Sequence, residues 1–369
     1  MKAVDGRRLG AEEALRLHEE AGLVSLGKAA DQVRRRLHPE NLGTFVVDRN
    51  INYTNACVAD CSFCAFYRPP GHPEAYRLPM EEILRRVGEL VAMGGTQVLL
   101  QGGLDPSLPL SYYEEICRTI KAHYPQIHLH SFSAPEIDTM AQVSGKSYRE
   151  VFEALKVAGL DSMPGGGAEI LVERVRQVVS PKKLSAAGWF AIHRAAHEAG
   201  LRTTCTMTYG MVETPAERGE HLVRLRELQD QTNGFRAFIP WSFQRGHTVL
   251  ESPPAGGMEY LRIIALARLV LDNVPNIQAG WVTEGPKLAQ LALSFGANDF
   301  GGILVDEVVV GATGMIYRVN KEEAIRLIRG AGRIPAQRNT KYEILHIYDH
   351  DDDGTFPDLS ADSVAASSR

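Results

Sequence analysis

Residues 44–64 read TFVVDRNINYTNACVADCSFC, a run of β-branched and apolar residues leading into a loop with three cysteines, Cys57, Cys61 and Cys64. The composition of the run is that of a strand, and the chain goes on to repeat it. Seven more short runs, at 96–103, 127–133, 160–166, 201–210, 236–243, 276–282 and 298–305, alternate with segments of helical period. Such alternation builds a parallel sheet with helices packed outside it. Eight units predict an α/β fold, a (β/α)8 TIM-type barrel over residues 44–315. The clearest helix lies in PMEEILRRVGELVAMGG, where Pro79 suits the first turn and Gly94 the end. Its Ile83, Leu84, Val87, Leu90 and Val91 make one apolar stripe.

Residues 1–43 are expected to form an N-terminal helical cap, with two amphipathic helices within 11–37 joined near Gly22. Residues 316–348 are expected to form a C-terminal helical cap with one helix at 320–331. The segment 349–369, acidic and poor in apolar side chains, is expected to be disordered.

With 369 residues, 44% hydrophobic and 23% charged, the chain can bury a sizeable core. A net charge of -5 and no basic stripe argue against a nucleic-acid partner and for a small-molecule substrate. No segment approaches ~18 uninterrupted apolar residues and the first residues lack a signal-like apolar core, so a cytoplasmic protein with no membrane partner is expected. Five cysteines, three of them in one short loop, argue for thiolate chemistry in a reducing compartment and against a disulfide framework.

The three close cysteines point to iron. Structural zinc sites normally close with four ligands, and here no adjacent His or fourth Cys completes a set. An iron–sulfur cubane with three protein thiolates keeps one iron open. The bland alternative is a zinc knuckle or three incidental core cysteines. Cys117, between Ile116 and Ile120 on a helix, is expected in the core, while Cys205 alternates with Thr204 and Thr206 in a strand whose facing is open. In such a barrel, reactive groups gather at the carboxyl ends of the strands. Three glycine turns fall there: Gln101-Gly102-Gly103, Gly165-Gly166-Gly167 and Gly301-Gly302.

CVADCSFC is similar to the CxxxCxxC signature of the radical S-adenosylmethionine (SAM) superfamily. The resemblance implies that Cys57, Cys61 and Cys64 hold a 4Fe–4S cluster whose open iron takes the amino and carboxylate groups of SAM. It implies further that Phe63 lies near the adenine and that Gln101-Gly102-Gly103 meets the methionine amine. INYTNACVADCSFCAFYR, GGTQVLLQGG, HLHSFSAPEI, DSMPGGGAEIL, ETPAERGEHLVRLRELQD, FIPWSFQ and WVTEGPKLAQLALSFGANDFGG extend it over roughly residues 10–345. Together they resemble the cyclic dehypoxanthinyl futalosine synthase family of the futalosine route to menaquinone. Aminofutalosine synthase and the deazaflavin-forming synthase share parts of these segments; Gln101, the triple glycine and FIPWSFQ favour the cyclase. Two departures stand out, Met211 where a histidine is expected and Arg245-Gly246-His247 in place of a Pro-containing run.

This family resemblance implies a substrate, dehypoxanthine futalosine, that loses a hydrogen at C4′ and closes on its own benzoate ring, with an external one-electron donor such as flavodoxin or ferredoxin. Ser133, Glu136 and Glu169 become candidates for the SAM pocket; Glu169 reads equally as a charge at a helix start. Rearomatisation needs a general base, and the candidates near predicted strand ends are His130, Glu213, Glu284, Asp299 and Glu307. Arg236, Arg245 and Lys287 are candidate partners for the substrate carboxylate. Trp241, Phe243 and Trp281 could stack on its ring or simply pack the barrel.

Overall fold

The computed structural model describes residues 2–304, 308–314 and 317–348. Glu307 and the acidic tail from 349 lie outside the described residues. Each of the eight expected runs contains a strand: β1 (Leu42–Ile51), β2 (Gln97–Leu100), β3 (His128–Ser131), β4 (Ser162–Met163), β5 (Arg202–Tyr209), β6 (Phe235–Ser242), β7 (Asn276–Ile277) and β8 (Asp299–Leu304). β1 to β7 pair in parallel in chain order. β8 lies along the other edge of β1 and meets the β7 segment through a bridge between Gln278 and Asp299. The ring closes there.

Period-two alternation sorts the side chains. Phe45, Val47 and Ile51 of β1, Val98 and Leu100 of β2, and Cys205 and Met207 of β5 face outward into the shared hydrophobic core under the helices. The helix Met80–Ala92 contributes Ile83, Val87 and Leu90 to that core, with Pro79 as its N-cap. The alternate residues face inward. The N-terminal helices Ala11–Glu20 and Leu23–Leu37, joined at Gly22, pack on the helices Pro215–Thr232 and Gly257–Val270. No helix among the described residues is long and apolar enough to cross a membrane.

The C-terminal cap departs from expectation, because it is only partly helical. After the helix Lys321–Gly330 come two further strands, β9 (Ile334–Arg338) and β10 (Ile344–Ile347). β9 runs parallel to the amino half of β1, on the same edge that β2 takes over at Asp48; β10 is antiparallel to β9. This pair closes the amino end of the barrel. Arg338 enters it and donates two hydrogen bonds to the carboxylate of Asp299, at 2.5 and 2.9 Å, while Thr44 Oγ1 donates to the same group at 2.5 Å. Both charged residues are buried.

Because the pair is buried and bidentate, removing one partner leaves the other charge uncompensated. Arg338→Met is expected to cost about 3–5 kcal/mol of stability, read as a fall in the urea midpoint. Asp299→Asn added to it should recover part of the loss.

Candidate active site

The cysteine loop leaves the carboxyl end of β1 and is tied to its neighbours through its backbone. Cys57 N–H donates to Arg68 O (2.9 Å), Val58 N–H to Leu104 O (3.0 Å) and Ser62 N–H to Val179 O (3.0 Å). The Ser62 carbonyl accepts from Val249 and Leu250, and Cys64 N–H closes a turn onto Cys61 O at 3.0 Å. Cys61 is buried and Cys57 and Cys64 half-buried. Burial pushes the Cys61 thiol up to about 12, with the nearby Lys183 charge opposing it, and burial raises Cys64 as well. Such thiols stay protonated until a metal displaces the proton. Cys117 and Cys205 are fully buried core residues; Cys205 faces away from the barrel interior and its thiol points to Ala237 O at 3.4 Å.

The surroundings fit a cluster with a ligand beside it. A cubane seats each thiolate on a different iron, which suits cysteines spread around a loop. Backbone comes close on one side. A Cβ on Gly103 would lie 2.1 Å from Ala56 O and 3.0 Å from Cys57 Cβ, and one on Gly102 would lie 2.5 Å from the Tyr53 ring. A Cβ on Gly166 would meet Gln101 Nε2 at 2.6 Å and Ser133 Cβ at 3.3 Å. The Gln101-Gly102-Gly103 turn therefore lies against the cysteine loop and the second glycine turn against Gln101 and Ser133, leaving bare backbone where a ligand must approach.

Glu169 holds a left-handed backbone conformation (φ 40°) and is buried. Its carboxylate meets Lys183 at 2.9 Å and Arg176 at 3.3 Å. Burial disfavours the anion, but these two charges outweigh it and hold the carboxyl below its usual range. The Lys183 ammonium lies 5.1 Å from the centre of the Phe63 ring, so cation, aromatic ring and cysteine loop form one unit. Sequence reasoning missed Lys183 and Arg176, which sit in a turn and a short helix with no motif of their own. Ser133 caps the helix Ala134–Ser144, and Glu136 is its third residue.

The remaining candidates scatter. Asp299 belongs to the amino end of the barrel, away from the mouth, because it opens β8 and is taken by Arg338. Glu213 accepts from the N–H groups of Gly210 (2.6 Å) and Met211 (3.0 Å) and pairs with Arg218 at 2.7 Å, so it shapes the turn after β5. Glu284 accepts from Ser242 N–H at 2.8 Å, and burial raises its carboxyl. The Trp281 indole is buried and donates to Gly302 O at 2.9 Å. Trp241 faces inward and donates to Thr208 Oγ1 at 2.6 Å. Arg245 has 55% of its side chain exposed and its guanidinium lies 3.8 Å from Glu251, whereas Arg236 carries a buried Nη1 without a partner among the described residues.

His130 faces into the barrel. Its Nδ1 lies 2.7 Å from Ser162 Oγ, and His128 Nε2 meets the same oxygen at 2.7 Å. Burial, with the nearby His128 and Arg236 charges, holds the His130 ring neutral. Around it the inward positions carry Asp48, Asn50, Gln97, Ser162, Thr204, Thr206 and Asn276, with Leu99 and Ile239 among the apolar ones. Barrels of this kind ordinarily fill their interior with branched apolar side chains. This one is lined for hydrogen bonding.

Residues 51–225 match the model of the radical SAM superfamily, and residues 232–351 match that of the CofH/MqnC C-terminal region. The chain is 46% identical to a protein of Halalkalibacterium halodurans named cyclic dehypoxanthine futalosine synthase, over 94% of each chain. The chain belongs to the radical SAM superfamily. It is an enzyme that uses a 4Fe–4S cluster and SAM. Two relatives carry other names. A 5-amino-6-(D-ribitylamino)uracil–L-tyrosine 4-hydroxyphenyl transferase of Methanopyrus kandleri is 43% identical over 87% of this chain and 89% of its own. An aminodeoxyfutalosine synthase of Thermus thermophilus is 40% identical over 94% and 95%. The crystal structure of the hydrogenase maturase HydG of Carboxydothermus hydrogenoformans shares the superfamily's fold, with a TM-score of 0.73 at 19% identity over 92% of this chain and 79% of that one.

Replacing Cys57, Cys61 or Cys64 by Ala should abolish SAM cleavage and the cluster's absorbance while the circular dichroism spectrum stays that of the folded barrel. Cys117→Ala should keep both iron and SAM cleavage, and show only a lowered melting temperature.

Proposed function

We propose that this chain cyclises dehypoxanthine futalosine to its spirocyclic product in menaquinone biosynthesis. The likeness along nearly the whole chain to a synthase of that name carries the reading. The polar barrel interior supports it, since a sugar with free hydroxyls joined to a benzoate needs hydrogen-bonding walls. Held by Cys57, Cys61 and Cys64 and given one electron by a carrier such as flavodoxin or ferredoxin, the cluster with SAM would supply the carbon radical needed to abstract hydrogen at C4′ of the substrate sugar.

The chain's own residues hold the sugar carbon against the ring it attacks, keep water away, and receive the proton that the ring sheds as it regains aromaticity. Regaining aromaticity would also release one electron, for which the cluster held by Cys57, Cys61 and Cys64 would be a one-electron acceptor. His130 is the base this reading favours. Glu213 and Asp299 are committed to arginines, and Glu284 accepts from a backbone N–H. His130 is neutral, faces the interior, and has no partner on Nε2 among the described residues. Arg236 stands second in β6, at the amino end of the barrel, whereas Arg245 follows the carboxyl end of the same strand and is the better placed of the two for the substrate carboxylate. Trp241 offers the inward-facing ring.

Anaerobic incubation with SAM, a reductant and dehypoxanthine futalosine should give free 5′-deoxyadenosine and a product two hydrogens lighter than the substrate. An adenosine-bearing adduct formed from an enolpyruvyl benzoate would replace this reading with that of an aminofutalosine synthase. For the base, His130→Gln should still release 5′-deoxyadenosine but form cyclic product about 10²–10⁴-fold more slowly. An unchanged cyclisation rate would remove His130 from the role.

A further inference from the structure

We infer that Glu136 is a positioning residue of the SAM site: together with Tyr53 it fixes the backbone of Gly102 against the cysteine loop, and it touches no cofactor itself. The inference rests on membership of the superfamily and is independent of which substrate the enzyme takes.

The Glu136 side chain is buried, and both of its oxygens are saturated. Oε2 accepts from the N–H (2.7 Å) and hydroxyl (2.6 Å) of Ser133, and Oε1 accepts from the Tyr53 hydroxyl (2.5 Å) and the Gly102 N–H (3.0 Å). An ionised carboxylate offers about four lone-pair sites, and four donors fill them. All four partners can donate at once only to the anion, although burial pushes the carboxyl upward. Nothing is left over for the ammonium or a ribose hydroxyl of a ligand.

Half of this arrangement is ordinary. Ser133 and Glu136 make the S-x-x-E capping box that starts the helix Ala134–Ser144, and Oε2 alone completes it. The work of Oε1 is different, since it reaches two segments remote in sequence. Tyr53 lies four positions before the first cluster cysteine, its ring fully buried and held edge-on by Tyr113 (5.9 Å) and Phe132 (6.1 Å). That ring lies so close to Gly102 that a Cβ there would fall 2.5 Å from it. Phe132, the residue before the cap, sits at φ 61°. A bulky side chain holds this conformation only where its surroundings enforce it. The strain lies just where the chain turns to bring Ser133 and Glu136 under the glycine loop.

The Gly102 N–H given to Glu136 fixes the peptide that joins Gln101 to Gly102, and the Gly103 N–H given to Thr54 O at 2.9 Å fixes the peptide that carries the Gly102 carbonyl. In a trans peptide the carbonyl points opposite to the N–H. The Gly102 carbonyl is thereby turned away from Thr54, which makes it the acceptor that the loop can offer to the SAM amine. The Gly103–Thr54 hydrogen bond sets this direction, while Glu136 fixes the preceding peptide, from which the Gly102 carbonyl hangs, and with Tyr53 its distance to Cys57, because Tyr53 belongs to the same chain segment as the cysteine.

The test uses the full chain, reconstituted anaerobically, in two variants. Glu136→Gln keeps the shape but turns an amide donor toward N–H and O–H donors. Tyr53→Phe keeps the ring over Gly102 and removes only the hydroxyl. Measured are iron content, SAM affinity by equilibrium dialysis of labelled SAM, and the change that SAM causes in the EPR spectrum of the reduced cluster. Glu136→Gln should keep its iron, bind SAM about tenfold or more weakly, and show an altered SAM-induced spectrum. Tyr53→Phe should shift both readouts in the same direction by a smaller factor. Wild-type SAM affinity in iron-replete Glu136→Gln overturns the inference. If that variant loses its cluster, Tyr53→Phe decides: weakened SAM binding with full iron supports the positioning role, and unchanged binding overturns it. A full loss in Glu136→Gln with no change in Tyr53→Phe also overturns it, because that pattern means direct contact. No futalosine substrate enters these measurements, so they stand or fall apart from the proposed reaction.

Discussion

The mouth of this barrel is organised by one close approach, the backbone of Gly102 and Gly103 lying against Tyr53, Ala56 and Cys57. Cys57 and the glycine edge at 102–103 follow neighbouring strands, β1 and β2, and any side chain between them would separate them by its own thickness. Glycine removes the obstacle but leaves the loop free to move. The freedom is taken back by hydrogen bonds: Gln101 N–H to Ile51 O, Gly103 N–H to Thr54 O, and Gly102 N–H to Glu136. The cysteine loop is restrained in the same manner, by Arg68, Leu104 and Val179 carbonyls. Rigid backbone does here what side-chain packing does in an ordinary core.

A polar barrel interior has a cost, because buried polar groups are unfavourable unless paired. The barrel meets it in part by pairing within the walls: Gln97 donates to Asp48, Ser162 joins His128 and the Nδ1 side of His130, and Asn298 donates to Asn276. At the amino end the acid Asp299 would remain uncompensated without a contribution from outside the eight units. β9 supplies it as Arg338. The C-terminal strands are therefore part of the barrel's electrostatics as well as its edge.

Much of this was legible in the sequence, and the reasons differ from element to element. The cysteine loop and the glycine turns are local patterns, so spacing alone located them. The eight strands followed from alternation with helices. β9 stayed hidden because IPAQR is short, contains Pro335, and owes its strand character to a partner some three hundred positions away. Asp299 was placed among mouth residues although it stands second in the run 298–305, which already puts it at the amino end. The S-x-x-E pattern of Ser133 and Glu136 was present as a cap signal, but nothing local announces that Oε1 reaches Tyr53 and Gly102. Lys183 and Arg176 carry no pattern at all, since their meaning comes from Glu169 across a turn.

Two buried glutamates flank the same mouth, and the contrast between them separates binding charge from shaping geometry. Glu169 is neutralised by two cations, so its pairing with Lys183 carries the charge of that ammonium to the Phe63 ring and the cysteine loop and holds it there. Glu136 has four neutral donors instead, and an anion satisfied only by dipoles stays put because moving would strand several of them at once. A residue that carries charge to a ligand can tolerate a mobile partner, whereas one that sets a peptide's direction cannot. The first pair reaches across a turn through a lysine, and the second is locked between a strand end, a glycine loop and a helix cap.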